Sequence, residues 1–159
     1  MKQPNFFIIG APKCGTTSLA EWLAEHPKVF MSPVKEPHYF NTDLRRTIKT
    51  QREYDALFKE VGSQHWSIGE ASVLYMYSKD AVPNILEHIP EAHFVVMLRN
   101  PVAMAPSLHE QQCFSFNEDD LNFESAWRKQ ESRAHGKLLS SGCRVPELLQ
   151  YGRICRLGE

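Results

Sequence analysis

The stretch that most constrains this chain runs from Phe6 to Leu19: FFIIGAPKCGTTSL. Phe6 to Ile9 is a continuous apolar run bounded by Pro4 and Gly10. A short apolar run without polar alternation predicts a strand buried on both faces, as in a parallel sheet. Thr16 to Glu25 then carries Leu19, Trp22 and Leu23 at helical spacing, and Pro27 stops it. Strand, glycine loop and helix in direct succession commit the chain to an α/β arrangement, because the helix must bury its apolar stripe on the sheet that the strand belongs to.

The rest of the chain repeats that alternation. Val29 to Phe40 reads as short extended pieces, since Pro33 and Pro37 break any helix. Gln51 to Lys59 is a predicted helix with Tyr54, Leu57 and Phe58 on one side, and Ser67 to Glu70 a short strand end. Ser78 to His88 is a second such helix, capped by Ser78 and ended by Pro90. His93 to Leu98 is the clearest buried strand, and Pro101 suits the first turn of a helix reaching about Gln112. Leu121 to Leu139 is expected to be helical up to Ser140-Ser141-Gly142, followed by a short helix over Pro146 to Gln150. Trp22 and Trp127 sit among apolar residues at helical spacing and are expected in the core, whereas Trp66 is a candidate to face a ligand. Such a sheet binds ligands beyond the carboxyl ends of its strands, where both Gly10–Thr17 and Arg99-Asn100 fall.

The chain's 159 residues amount to one domain, able to bury roughly two thirds of its unfolded surface. A net charge of −1 supplies no overall field for nucleic acid or acidic membrane, so basic residues count only where they cluster. No apolar stretch approaches the roughly 20 residues that a membrane-spanning helix needs. Lys2 followed by Phe6 to Ile9 is too short an apolar core for a signal peptide. Cys14, Cys113, Cys143 and Cys155 form no CxxC pair and no metal-binding spacing; they read as free thiols of a reducing, cytoplasmic compartment.

The loop's chemistry is that of an anion cradle. Gly10 and Gly15 allow backbone N–H groups to turn inward, the helix from Thr16 adds its positive end, and Thr16, Thr17 and Ser18 add hydroxyls. The P-loop of ATP and GTP enzymes places a lysine directly after its second glycine. Here that slot holds Thr16, and Lys13 lies inside the loop. The shift suits a ligand with fewer phosphates in line and no metal, with the lysine over a leaving phosphate oxygen. Cys14 reads as a variable loop position rather than a nucleophile.

The stretch PKCGTTSL resembles the 5'-phosphosulfate loop of sulfotransferases that use PAPS (3'-phosphoadenosine 5'-phosphosulfate). A second hallmark of that family is an arginine at a strand end with a serine eight residues on, which hold the 3'-phosphate; LRNPVAMAPSLHEQ supplies Arg99 and Ser107. SPVKEPHYF resembles the segment bearing the catalytic glutamate in carbohydrate-type and bacterial members, and IGEASVLYMYS the strand and turn after it. The resemblance implies a P-loop-type, three-layer α/β fold with a mostly parallel central sheet flanked by helices. It implies PAPS as co-substrate, adenosine 3',5'-bisphosphate as product and no metal, with Lys13, Cys14, Gly15, Thr16, Thr17, Ser18, Arg99 and Ser107 binding the nucleotide. Lys13 would also stabilise the leaving phosphate. The first candidate for the base that would take the acceptor's proton is Glu36, with His38, two residues on, as the other candidate. The acceptor implied is a hydroxyl of a carbohydrate, glycolipid or small molecule.

Two departures from the family bear on these expectations. The lysine that carbohydrate-type relatives carry after the glutamate of the GE strand is Ala71 here, a gap shared with bacterial-type members, and Pro106 stands before Ser107, where it would kink the helix. Family domains also continue through further helices and a basic loop over the nucleotide, whereas this sequence stops at GRICRLGE. Residues 1–159 are therefore expected to be the N-terminal part of a single, incomplete sulfotransferase domain. The competing readings are a P-loop nucleoside or nucleotide kinase and a non-catalytic nucleotide-binding remnant. Oligomeric state has no signature in the sequence.

Overall fold

The computed structural model describes residues 3–156; Lys2 and the end of the Tyr151-to-Glu159 segment lie outside the described residues. The chain divides into two compact units, one ending at Leu98 and the other beginning at Arg99.

The first unit is built on a four-stranded sheet in the order β2-β3-β1-β4. Its strands are β1 Phe6–Gly10, β2 Val29–Met31, β3 Ser67–Ala71 and β4 His93–Val96, and every pairing is parallel. The expected parallel sheet with helices against it is what the chain forms. Parallel neighbours need long returns, and helix α1 Thr16–Ala24 is the first of them, packing on β2 and β3. β1 is an inner strand, so Phe7 and Ile8 are wholly buried, which is why its sequence is apolar on both faces. Phe7, Ile9 and Ile68 pack with Phe40 and Tyr75 and with the apolar sides of helices α2 Gln51–Ala56 and α3 Ala81–His88. Gly69 lies opposite Phe6 in register, and a side-chain carbon there would meet the Phe6 ring at 2.2 Å. The glycine is the seat for that ring.

Local chemistry sets the helix starts. Thr50 and Glu53 form a reciprocal capping box at α2. Ser78 accepts the N–H groups of Asp80 and Ala81, so it tethers the start of α3, although the helix begins three residues later than predicted. Trp22 departs from expectation: it is 69% exposed. The face that α1 turns inward runs through Thr16, Leu19, Ala20 and Leu23, and Trp22 lies off it. Trp66, also exposed, precedes β3 and so sits at the end of the sheet opposite the glycine loop, with the Lys28 ammonium over its ring. It does not face the loop.

The second unit is helical. Helix α4 Pro101–Phe114 starts with Pro101 in its first turn and the Asn100 side chain accepting the Val102 N–H. It runs through Pro106 as one element; the carbonyl that a proline four residues on leaves unbonded is that of exposed Val102. The predicted helix over Leu121 to Leu139 is instead two short ones, α5 Phe123–Arg128 and α6 Gln130–Ala134. Gly136, at φ 72°, ends the second, and the N–H groups of Gly136 and Lys137 fold back onto the carbonyls of Arg133 and Ser132. Trp127 is 37% exposed rather than core. A 3₁₀ turn, Pro146–Leu149, and helix α7 Tyr151–Ile154 pack against α4.

At the centre of this unit Arg133 and Glu118 are both fully buried and joined in a two-pronged ion pair, at 2.6 and 2.7 Å. The Tyr151 hydroxyl donates to the same carboxylate at 2.8 Å. Burial pushes the Glu118 carboxyl up, but Arg133, the Asp120 N–H and Tyr151 together hold it below its ordinary value.

Candidate functional site

The glycine loop leaves the sheet at the carboxyl end of β1. Its first residues are tied to the continuation of β4: Met97 donates its N–H to the Gly10 carbonyl and accepts the Ala11 N–H, both at 2.9 Å. Gly10 is required here. Its φ is 156°, and a side-chain carbon would lie 3.0 Å from Cβ of Met76 and 3.2 Å from the Val73 carbonyl. Lys13 and Gly15 then take left-handed conformations, φ 62° and 82°, and α1 begins directly after Gly15, with no side chain capping it.

That geometry leaves the first-turn N–H groups of α1 without acceptors inside the helix. Thr17 and Ser18 are exposed beside them, Lys13 is half-buried in the loop, and Gly15 is exposed. Thr16 is turned inward, 4% exposed, so it offers its backbone more readily than its hydroxyl. Cys14 is also turned inward, its N–H going to the Ala11 carbonyl and its thiol to the Pro12 carbonyl. The cradle therefore consists of backbone donors, two hydroxyls and one ammonium at a helix's positive end, a donor set that fits a phosphate or sulfate group. Among the described residues no group of three or more His, Cys, Asp or Glu is arranged to hold a metal ion.

Glu36 and His38 lie at the same edge of the sheet. The Glu36 N–H bonds the Ala71 carbonyl at the end of β3, and Ala71 is the register partner of Ile8 on β1. Both residues have positive φ, 61° and 49°, on either side of Pro37. The two left-handed residues bring the side chains together: His38 Nε2 is 3.1 Å from Glu36 Oε2, and Lys35 Nζ is 2.8 Å from Oε1. Burial raises the Glu36 carboxyl, yet the His38 hydrogen bond and the Lys35 charge outweigh it and bring it down to about 2. Glu36 is thus ionised at neutral pH and about one third exposed, while His38 is buried beneath it. The accessible proton acceptor of the pair is the carboxylate.

Reading the sequence missed what holds this segment. Ser72 Oγ accepts the His38 N–H at 3.1 Å, and the Tyr75 hydroxyl accepts the N–H groups of Tyr39 and Phe40 at 3.0 and 3.3 Å. The available signal was a serine and a tyrosine in an otherwise apolar stretch, ASVLYM. The other two predicted nucleotide-binding residues belong to the second unit. Arg99 is exposed where the chain enters α4, and Ser107 is half-buried within that helix.

Comparison with known proteins adds identity to this geometry. Residues 3–140 match the family described as the sulfotransferase domain. The crystal structure of a sulfotransferase from Alicyclobacillus acidocaldarius superposes with a TM-score of 0.85 at 32% sequence identity, over 97% of this chain and 64% of that one. Membrane-associated sulfotransferase kil1 of Dictyostelium discoideum is 31% identical over 99 residues, 62% of this chain and 21% of that protein. Carbohydrate sulfotransferase 15 of Mus musculus is 33% identical, over 62% of this chain and 25% of that protein. The chain thus spans a quarter or less of the length of these two relatives. With a family match that covers most of its length and motifs set at the edge of a parallel sheet, the chain belongs to the sulfotransferase domain family.

Proposed function

We propose that this chain transfers the sulfuryl group of PAPS to a carbohydrate hydroxyl. The observation that carries the reading is the presence, at one edge of one sheet, of an anion cradle with an internal lysine and an ionised carboxylate able to take a proton. PAPS supplies an activated sulfur–oxygen bond. The first-turn amides of α1, with Thr17 and Ser18, hold the 5'-phosphosulfate, and Lys13 offsets the charge that grows on the leaving phosphate oxygen. Glu36 accepts the proton of the acceptor hydroxyl, and His38 orients the carboxylate from below. Arg99 and Ser107 are the proposed contacts of the 3'-phosphate. Carbohydrate sulfotransferase 15 and a heparan sulfate N-deacetylase/N-sulfotransferase of Mus musculus are among the relatives, which supports a sugar acceptor over a glycolipid or other small molecule. The four cysteines, which form no CxxC pair, support a cytoplasmic location.

The test is calorimetry of the chain with adenosine 3',5'-bisphosphate and with ATP–Mg²⁺, alongside PAPS-dependent transfer. The bisphosphate should bind preferentially, and Lys13→Ala should slow transfer about 10²- to 10³-fold, the size expected for losing one stabiliser of transition-state charge. A preference for ATP–Mg²⁺ would restore the kinase reading, and an unaltered rate in Lys13→Ala would remove the lysine from the mechanism.

A further inference from the structure

One ionisable group at this edge of the sheet has no part in the chemistry above. Glu70 precedes Ala71 on β3, pairs in register with Phe7, and is wholly buried. Among the described residues neither of its carboxyl oxygens has a fully formed hydrogen-bond partner, yet the hydroxyls of Tyr75, Ser72 and Tyr54 lie near enough to act on its proton. Two of those hydroxyls are the ones that carry the segment above. Ser72 holds the His38 N–H, and Tyr75 holds those of Tyr39 and Phe40. A phenol oxygen that accepts two N–H groups still has its own proton to give, and the Glu70 carboxyl lies near enough to attract it. The Tyr75 ring also meets the His38 ring edge-on, with centroids 6.1 Å apart.

We propose that Glu70 is a positioning residue for the proposed transfer: it orients the Tyr75 and Ser72 hydroxyls, and through them the 38–40 backbone that sets the Glu36–His38 pair. The proposal rests on the sulfuryl-transfer reading for its catalytic consequence, but not for its geometry.

The protonation state of Glu70 decides which way those hydroxyls point. Burial pushes its carboxyl up to about 8, so it is a neutral acid at pH 7, with one proton to donate and one carbonyl oxygen to accept. Ionised, it only accepts, and it draws the Tyr75 and Ser72 hydroxyl protons towards it, which re-aims the oxygens that serve the backbone. The titratable groups facing it are Tyr54, from α2, and Tyr75, from the 3₁₀ turn Val73–Tyr77; both are pushed above their ordinary values, chiefly by burial, and stay neutral. Glu70 is then the member of the cluster that titrates near neutrality.

The test compares the whole chain with Glu70→Gln and Glu70→Ala by following the backbone amide signals of residues 38–40 through pH 6–9, together with transfer kinetics. The wild-type amides should titrate in concert near pH 8, and Glu70→Gln, a neutral isostere, should abolish that titration while keeping most of the rate. Glu70→Ala should lower kcat about tenfold or more with KM for PAPS unchanged, the pattern of lost orientation rather than lost binding. Tyr75→Phe should reproduce the kcat loss if Glu70→Ala fails to fold. Amides that do not titrate, or that titrate equally in Glu70→Gln, overturn the proposal. A wild-type chain that shows the titration without PAPS-dependent transfer supports the positioning and overturns the reaction instead.

Discussion

Among the described residues each unit buries one glutamate side chain completely, and the two are handled in opposite ways. Glu118, in the helical unit, is met by Arg133 and Tyr151 and stays a charged anchor. Glu70, in the sheet unit, lies near the hydroxyls of Tyr75, Ser72 and Tyr54, with no cation among the described groups that act on its proton, and burial pushes its carboxyl up to about 8, so it is protonated at pH 7. Equal burial therefore does not set the charge state; the partner does. The charged residue fastens elements that are far apart in sequence, from residue 118 to residues 133 and 151. The neutral one leaves a set of hydroxyls able to change direction beside the candidate site.

The largest expected effect comes from removing the partner in the charged case. Arg133→Met leaves a buried carboxylate without a countercharge and should cost about 3–5 kcal/mol in denaturant unfolding. The double change Glu118→Leu with Arg133→Met should recover most of that, because a buried pair replaced by apolar residues is often close to neutral. A double variant as unstable as the single would mean that Arg133 acts through its bonds to the Leu138 and Ala126 carbonyls instead.

The second effect is the pH dependence of the neutral case. The folded-state value of Glu70 is raised, so between the ordinary carboxylate value and about 8 the native state holds a proton that the unfolded state has lost. Its contribution to stability therefore falls as pH rises through that window, by up to about 1.4 kcal/mol per pH unit. Glu70→Gln should flatten the slope and raise the melting temperature at pH 7–8; an unchanged slope would show that Glu70 is not the group responsible.

Glu118 should show the opposite sign. Its folded-state value is lowered, so its contribution is present above the ordinary carboxylate value and is lost as pH falls through the folded one. Amide protection in the second unit of the whole chain, taken relative to intrinsic exchange at each pH, should fall in acid, and Glu118→Gln should blunt that response. The smallest effect concerns the exposed pair. Lys35→Ala should raise the Glu36 carboxyl and move the acid limb of the transfer profile upward by less than about one pH unit, since a half-exposed ion pair contributes about 0.2–1 kcal/mol.

Much of the sheet unit was legible because its signals are local. The apolar run at Phe6, the glycines at 10 and 15, and the proline stops all act within a few residues, and they gave strand, loop and helix correctly. The helical unit was harder. The expected helix from Leu121 to Leu139 ran through Gly136, whose left-handed φ ends α6 and could have been read as a helix stop. Trp22 was misplaced because helical spacing shows which residues share a face, not which of two adjacent faces meets the sheet. The sequence marked Glu36 and His38 as candidates but not how they meet: their contact arises from two left-handed residues, a backbone state without a sequence signature at Glu or His. The hydroxyls below it are contributed from more than thirty positions away, so local reading could not reach them.

Those left-handed residues also matter to anyone redesigning the protein. A non-glycine residue in that conformation costs roughly 1–2 kcal/mol, and Glu36 and His38 both adopt it around Pro37. A design scored for stability alone would put glycine at both positions and lose the acid–imidazole pair, because the substitutions that relax the backbone are the ones that remove the functional side chains. In a library selected first for melting temperature and only then for turnover, positions 36 and 38 should be the first to separate the two rankings.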